Sequence, residues 1–289
     1  MLKKIQINGK LFWDYYKLAC GFVFGLASAC LLFFDRSDFK IESCCSKVLA
    51  IVILILLSFA FAIVKVLTYK KLECIKGKII LRYGDLWKTA FSTKGKKRIV
   101  VVSVNTTFDT IVDENLAVVN KPLVSHSTLH GQWLNCMKKK NVPISDIDKG
   151  INDSLSLQGI VPAKILNHDI KDRGKIECYE KGTIAQYEYE NTVFYLMALS
   201  EFDENNNAQN TKEDLVQTII KLIDYYDKKG NGFDIYLPLL GTGQSRTGVT
   251  REESLEVITS LFKLYEDKIQ GCANIIIYSK DRDKVSLDV

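Results

Sequence analysis

Residues 235–248 read Ile-Tyr-Leu-Pro-Leu-Leu-Gly-Thr-Gly-Gln-Ser-Arg-Thr-Gly. An apolar, strand-like start runs into a loop with glycines at 241, 243 and 248. Thr250-Arg251-Glu252-Glu253 then has the form of a capping box, and Leu255, Ile258, Leu261, Phe262 and Tyr265 follow at helical spacing. Strand, glycine loop and helix in that order mark the carboxyl edge of an open α/β sheet, where such sheets bind ligands. Glycines let the backbone approach a phosphate, and successive N–H groups can cradle it. No Gly-Lys-Ser/Thr ends the loop and no GxGxxG is present, so neither standard nucleotide fingerprint applies. On chemistry alone the loop is an anion cradle or a plain tight turn.

The flanking sequence repeats this alternation. Upstream, Thr211-Lys212-Glu213-Asp214 is a second capping box, followed by Leu215, Ile219, Leu222, Ile223 and Tyr226 and stopped by Gly230. Residues 233–237 and 274–278 are strand candidates. Residues 97–105 (KRIVVVSVN) hold a continuous β-branched run, expected of a strand buried on both faces. Shorter strands are expected at 78–81, 176–179, 183–189 and 192–199, the last two joined by a Glu190-Asn191 turn. Residues 116–119 fit a strand or a loop, and 203–209 a polar loop. Residues 125–140 read as a helix with a basic end. Residues 141–175, with Pro143 and Pro162, read as an irregular insertion. The pattern predicts an α/β domain around a central mixed sheet.

Toward residue 1 the composition changes. Of the 289 residues, 1–98 carry 18 basic and six acidic side chains, a net of +12, and the remainder a net of −7. The positive charge surrounds the most apolar part of the chain, not the folded domain, which argues against a nucleic-acid partner. Residues 18–34 and 48–64 are uncharged runs, extended by interfacial aromatics to helices of about 12–34 and 48–67. They predict a transmembrane hairpin at 1–70 and a soluble domain at 71–289. A signal peptide followed by a buried helix is the other reading, but the first run continues past Ala27-Ser28-Ala29 to Phe34. Lysines precede the first run and follow the second, so the positive-inside rule places both ends in the cytoplasm of a multi-pass inner-membrane protein. Gly21, Gly25 and Ala29 form a small-residue stripe, either a helix-packing face or simply the glycine common in membrane helices.

The eight cysteines form no CxxC pair and no zinc-like spacing with histidine. His126 and His130 stand four apart with no third ligand nearby, so no metal is expected; His168 is expected on the surface.

Several short motifs, in order, resemble those of macro domains, the ADP-ribose-binding modules. Leu239-Leu240-Gly241-Thr242-Gly243 resembles their phosphate loop. Arg82-Tyr83-Gly84-Asp85-Leu86 resembles their early Gly-Asp-Ile element, residues 99–105 the strand that ends in Val-Asn-Ala-Ala-Asn, and Gly182-Thr183-Ile184 a later hairpin strand. The resemblance covers about residues 75–289. It implies a three-layer α/β/α domain and a ligand, an ADP-ribose derivative, with no other cofactor. It also implies roles: Asp85, with Leu86, at the adenine; Gly241, Thr242, Gly243, Gln244, Ser245 and Arg246 at the pyrophosphate; Asn105 at the distal ribose; Ser127 and Thr128 at the phosphates. One departure matters. Phe108 stands where hydrolytic macro domains carry the second Asn, and a phenyl ring cannot orient a hydroxyl or water. Asp109 and Asp113 remain as acids that could act as bases, although an acid pair near a turn is usually a solvated edge.

Twin membrane helices joined to such a domain are similar to the membrane effectors of Thoeris antiphage defence. That resemblance implies a signal-gated effector with no catalytic residue. A TIR-domain partner would make an ADP-ribose-derived nucleotide, and binding would drive homo-oligomerisation, membrane disruption and abortive infection. A membrane-tethered ADP-ribosyl hydrolase and an anchored scaffold are the rival readings.

Overall fold

The computed structural model describes residues 2–34, 43–68, 73–114, 119, 122–167, 171–202, 208–242 and 248–288. They divide into two units, Met1–Cys74 with Ser279–Val289, and Ile75–Tyr278.

The first unit holds α1 (Leu2–Ile7), α2 (Gly9–Phe33) and α3 (Cys44–Leu67). At 25 and 24 residues, α2 and α3 are long and apolar enough to cross a membrane. Their large side chains are exposed, Phe22, Leu32, Phe33 and Leu56 among them. Between them, Phe12, Ala62 and Val66 are buried among Ile5, Tyr15, Tyr16 and Ile63. Phe12 stands edge-on to Phe59 with centroids 5.2 Å apart. The small-residue stripe lies off this seam: a Cβ built on Gly21 or Gly25 would meet no described atom within 4 Å.

β1 (Glu73–Lys76) straddles the boundary, and the second unit continues with β2 (Ile79–Gly84), α4 (Leu86–Ala90), β3 (Arg98–Asn105), β4 (Val112–Asp113), β5 (Val124–Ser125), α5 (Leu129–Lys139), α6 (Ile144–Leu157), β6 (Lys164–Ile165), β7 (Glu177–Cys178), β8 (Ile184–Tyr189), β9 (Thr192–Phe202), β10 (Ala208–Gln209), α7 (Lys212–Lys229), β11 (Asp234–Pro238), α8 (Arg251–Leu264) and β12 (Ala273–Tyr278). Eight strands form one sheet in the order β1-β2-β12-β11-β3-β9-β10, with β8 also on β9. The pairs from β2 through β12, β11 and β3 to β9 are all parallel. β8 and β10 pair with β9 antiparallel, so the sheet is mixed, as expected.

Side chains on β3 and β9 alternate between two cores. Val100, Val102, Val104, Phe194, Leu196 and Ala198 join Trp133, Leu134 and Met137 of α5 and Ile147, Ile151 and Leu155 of α6. On the opposite face Tyr195 stands edge-on to Tyr225 of α7, with centroids 5.1 Å apart. Helices thus cover both faces of the sheet. Both capping boxes form: Thr211 with Asp214 opens α7, and Thr250 with Glu253 opens α8.

Three expectations need correction, the shortest at residues 203–209, expected as a polar loop, where Ala208–Gln209 pair with β9 as β10. Residues 141–175 are not irregular throughout, because α6 occupies Ile144–Leu157. It packs through Ile147, Ile151 and Leu155, and Pro143 sits just before its first residue, where a missing N–H costs nothing. The helix expected from residue 125 begins at Leu129, because the Thr128 hydroxyl accepts from Gly131 N (3.1 Å) and caps it there. Most of the stretch expected at 116–119, and His168, lie outside the described residues.

Candidate functional site

Because β2, β12, β11 and β3 run parallel, their carboxyl ends share one edge of the sheet. That edge brings together three of the expected positions: Asp85 after β2, Asn105 at the end of β3, and Gly241 with Thr242 just after β11. Gly243, Gln244, Ser245 and Arg246 lie outside the described residues.

Asp85 is half-buried at the head of α4. Its Oδ1 accepts from Trp87 N at 3.0 Å, which caps the helix, and Leu86 is buried behind it. Trp87 Nε1 donates to Gln132 Oε1 (2.8 Å), and Gln132 Nε2 donates to the carbonyl of Ser127 (2.8 Å). The Asp85 loop is thereby tied to the loop before α5. There Ser125 and Ser127 share a hydroxyl hydrogen bond of 2.9 Å, and Thr128 donates to Ser125 O at 2.7 Å. Gly131 cannot carry a side chain, since a Cβ would collide with the Ser125 carbonyl. His126 is exposed and precedes α5, whereas His130 is buried inside it, so their spacing is not one helical face. Burial lowers the His130 pKa to about 4, opposed by the nearby Asp109 carboxylate.

At the end of β3 the chain turns through Phe108, a buried residue at φ 49°. Its ring packs edge-on against Tyr179 with centroids 5.6 Å apart. Asn105 does not present a free amide. Its Nδ2 donates to Asp109 Oδ2 (2.8 Å), and its Oδ1 accepts from Asp109 N (3.0 Å). Asp109 is fully buried. Its Oδ2 also accepts from Thr107 Oγ1 (2.6 Å) and Lys171 Nζ (2.6 Å), and its Oδ1 from Lys175 N (2.8 Å). Lys171, itself 5% exposed, donates further to Thr107 Oγ1 and the Lys175 carbonyl. Asp113 is also buried, bound by Arg173 (2.8 Å) and by Leu123 N (2.7 Å). The expected solvated edge is therefore overturned: both acids are interior anchors for residues 171–175. Gly174, at φ 79°, lies so close to Asp109 that a Cβ would strike the carboxylate. Sequence reasoning missed Lys171, Arg173 and Gly174, which lay inside the stretch read as irregular. Their one visible signal is the basic Lys171-Asp172-Arg173-Gly174-Lys175 run.

After β11, Leu240 and Gly241 are buried and Gly241 adopts φ 76°. The Leu240 carbonyl accepts from Ser254 Oγ at 2.6 Å, which fixes the start of the loop to the first turn of α8. Gly248, at φ 73°, closes the loop just before the Thr250 cap. The Glu253 carboxylate of that cap is held down to about 2 by the Thr250 backbone N–H and by Lys212. Among the described residues no group of three metal-ligating side chains occurs.

A mixed sheet with helices on both faces, whose parallel strands end at a capped acid, Asn105 and the start of a glycine loop, is the layout of a macro-like domain. Residues 79–279 match the family model for the Thoeris protein ThsA macro domain, and the chain belongs to that family. A curated relative, Thoeris protein ThsA of Bacillus amyloliquefaciens (strain Y2), is 23% identical over 211 residues, which is 71% of this chain and 64% of the relative. The alignment thus spans less than two thirds of that protein. Similar solved structures include the Oceanobacillus iheyensis macrodomain with ADP, at 10% identity and TM-score 0.39, covering 73% of this chain and 90% of that one. A single-residue variant of the same macrodomain aligns at 10% identity and TM-score 0.40, covering 73% and 87%. Family membership rests on the sequence match rather than on these overlaps.

Proposed function

We propose that this protein is a signal-gated membrane effector of Thoeris antiphage defence. Its α/β unit binds an ADP-ribose-derived nucleotide made by a TIR-domain partner. Binding drives homo-oligomerisation, and the α2–α3 hairpin then disrupts the inner membrane and aborts infection. The hairpin spans the bilayer twice, with both ends of the chain in the cytoplasm. The observation that carries this reading is the gathering of Asp85, Asn105 and Gly241 at one sheet edge, in a ThsA macro-domain chain with two membrane-length helices. Asp85 takes the adenine amine, residues 241–246 the pyrophosphate, Ser127 and Thr128 the phosphates, and Asn105 shapes the ribose end.

Binding without turnover is supported by the state of the acids. Asp109 is sealed under Lys171 with both oxygens engaged, so it is not placed to take a proton from water. Calorimetry on the full chain in detergent, titrated with ADP-ribose, tests the reading. Arg246→Ala should weaken binding by roughly 1.5–3 kcal/mol, the worth of a charged hydrogen bond. Unchanged affinity would place the pyrophosphate elsewhere. A product peak that grows with protein and vanishes in Asn105→Ala would favour the tethered hydrolase.

A further inference from the structure

The start of α2 is capped by a residue from the other end of the chain. The first N–H groups of any helix lack intrahelical partners. Asn8 sits at the N-cap of α2, yet its side chain makes no cap bond to that helix. Its Oδ1 instead accepts from Leu287 N at 3.0 Å and from Ser286 Oγ at 3.5 Å. In exchange, Asp288 Oδ2 accepts from Lys10 N (3.0 Å) and Leu11 N (3.4 Å), in the first turn of α2. A carboxylate there also suits the positive end of the helix dipole. Asn8 is 1% exposed, and Val285 and Leu287 are fully buried. The exchange is therefore a built junction and not a fraying end.

The segment that makes this junction begins where β12 ends. β12 lies between β2, which leads to Asp85, and β11, which leads to Gly241. Its carboxyl end, Tyr278, sits on the same sheet edge, and residues 279–288 follow without a break. We infer that residues 279–288 are a coupling strap: they grip the first membrane helix through Asp288 and Asn8, and pass to it any shift of β12. The trigger for that shift rests on the ligand reading above; the grip itself does not.

Two measurements on the full chain in lipid vesicles separate these. The first is hydrogen exchange at the Lys10 and Leu11 amides without ligand. Asp288→Ala should speed it about tenfold, the size of a lost helix cap, and Asp288→Asn, which keeps an acceptor, should restore part of the protection. Exchange equal to the unaltered chain would overturn the strap whatever the ligand. The second adds ADP-ribose and reads dye release alongside calorimetric affinity. Asp288→Ala should keep its affinity within about twofold while release falls at least about tenfold. Release equal to the unaltered chain would overturn coupling and leave only a cap. If the unaltered chain fails to bind ADP-ribose, the ligand reading falls and the exchange result alone decides the strap.

Discussion

The two units place their apolar side chains on opposite sides. In the α/β unit, Ile275, Leu237 and Val101 are fully buried, and polar groups that enter that core, such as Asp109, bring their partners with them. In α2 and α3 the same residue types face outward: Leu56 is 60% exposed and Phe33 84%. Burial in one unit is against protein, and in the other it is left to the surrounding solvent. The first pattern is the one water favours, and the second is the one that the proposed membrane hairpin would show in hydrocarbon.

Substitutions that move charge sharpen this contrast. The largest effect is expected at Lys171. Replacing it with alanine strands a fully buried carboxylate, so Lys171→Ala should destabilise the α/β unit by about 3–5 kcal/mol. Denaturant titration would show it as a lowered midpoint, and an unchanged midpoint would mean that Asp109 is not held as described. In the hairpin the corresponding test is Ile55→Lys, near the middle of α3. A lysine there should cost about 2.5–3.5 kcal/mol of membrane insertion. Membrane fractionation should show the loss, while the α/β unit keeps its melting behaviour. Equal damage to both would argue that α3 is a protein-core helix.

The pH dependence should come from the α/β unit. His130 titrates near 6.5 when unfolded and about 4 when folded, because burial disfavours its cation. A depressed histidine gives its full contribution above 6.5 and loses it as pH falls toward 4. Stability should drop across that window by up to about 3 kcal/mol, and His130→Gln should flatten the profile. A profile unchanged by that substitution would assign acid sensitivity to other groups. The smallest effect is expected at Gly25, where a Cβ would meet nothing within 4 Å among the described residues. Gly25→Leu should leave insertion and ligand affinity intact and weaken only assembly between copies, read by crosslinking in vesicles. Unaltered crosslinking would leave the stripe without an assembly role.

What the sequence made legible follows from how local each signal is. The run at Arg98–Asn105 identified a strand buried on both faces, and the capping boxes at Thr211 and Thr250 marked the starts of α7 and α8, because these patterns lie within a few consecutive residues. The order of Gly84-Asp85, Asn105 and Gly241 along the chain put them at strand ends, where the parallel sheet aligns them. The clasp over Asp109 was not legible, since Lys171 and Gly174 lie more than sixty residues away and their basic run does not name its partner. The burial of Asp109 and Asp113 was missed for the same reason: their exposure depends on what folds over them. The α6 helix was hidden by Pro143 and Pro162, which flank it and do not interrupt it.

The central claim is that ligand binding in one unit acts through the other on a membrane. It is tested most directly by the membrane potential of cells that make the TIR-domain partner's signal, comparing the full chain with a chain lacking residues 1–70. The full chain should depolarise the cells when the signal appears, and the shortened chain should leave the potential unchanged. Equal killing by the shortened chain would place the toxic activity in the α/β unit and contradict the account.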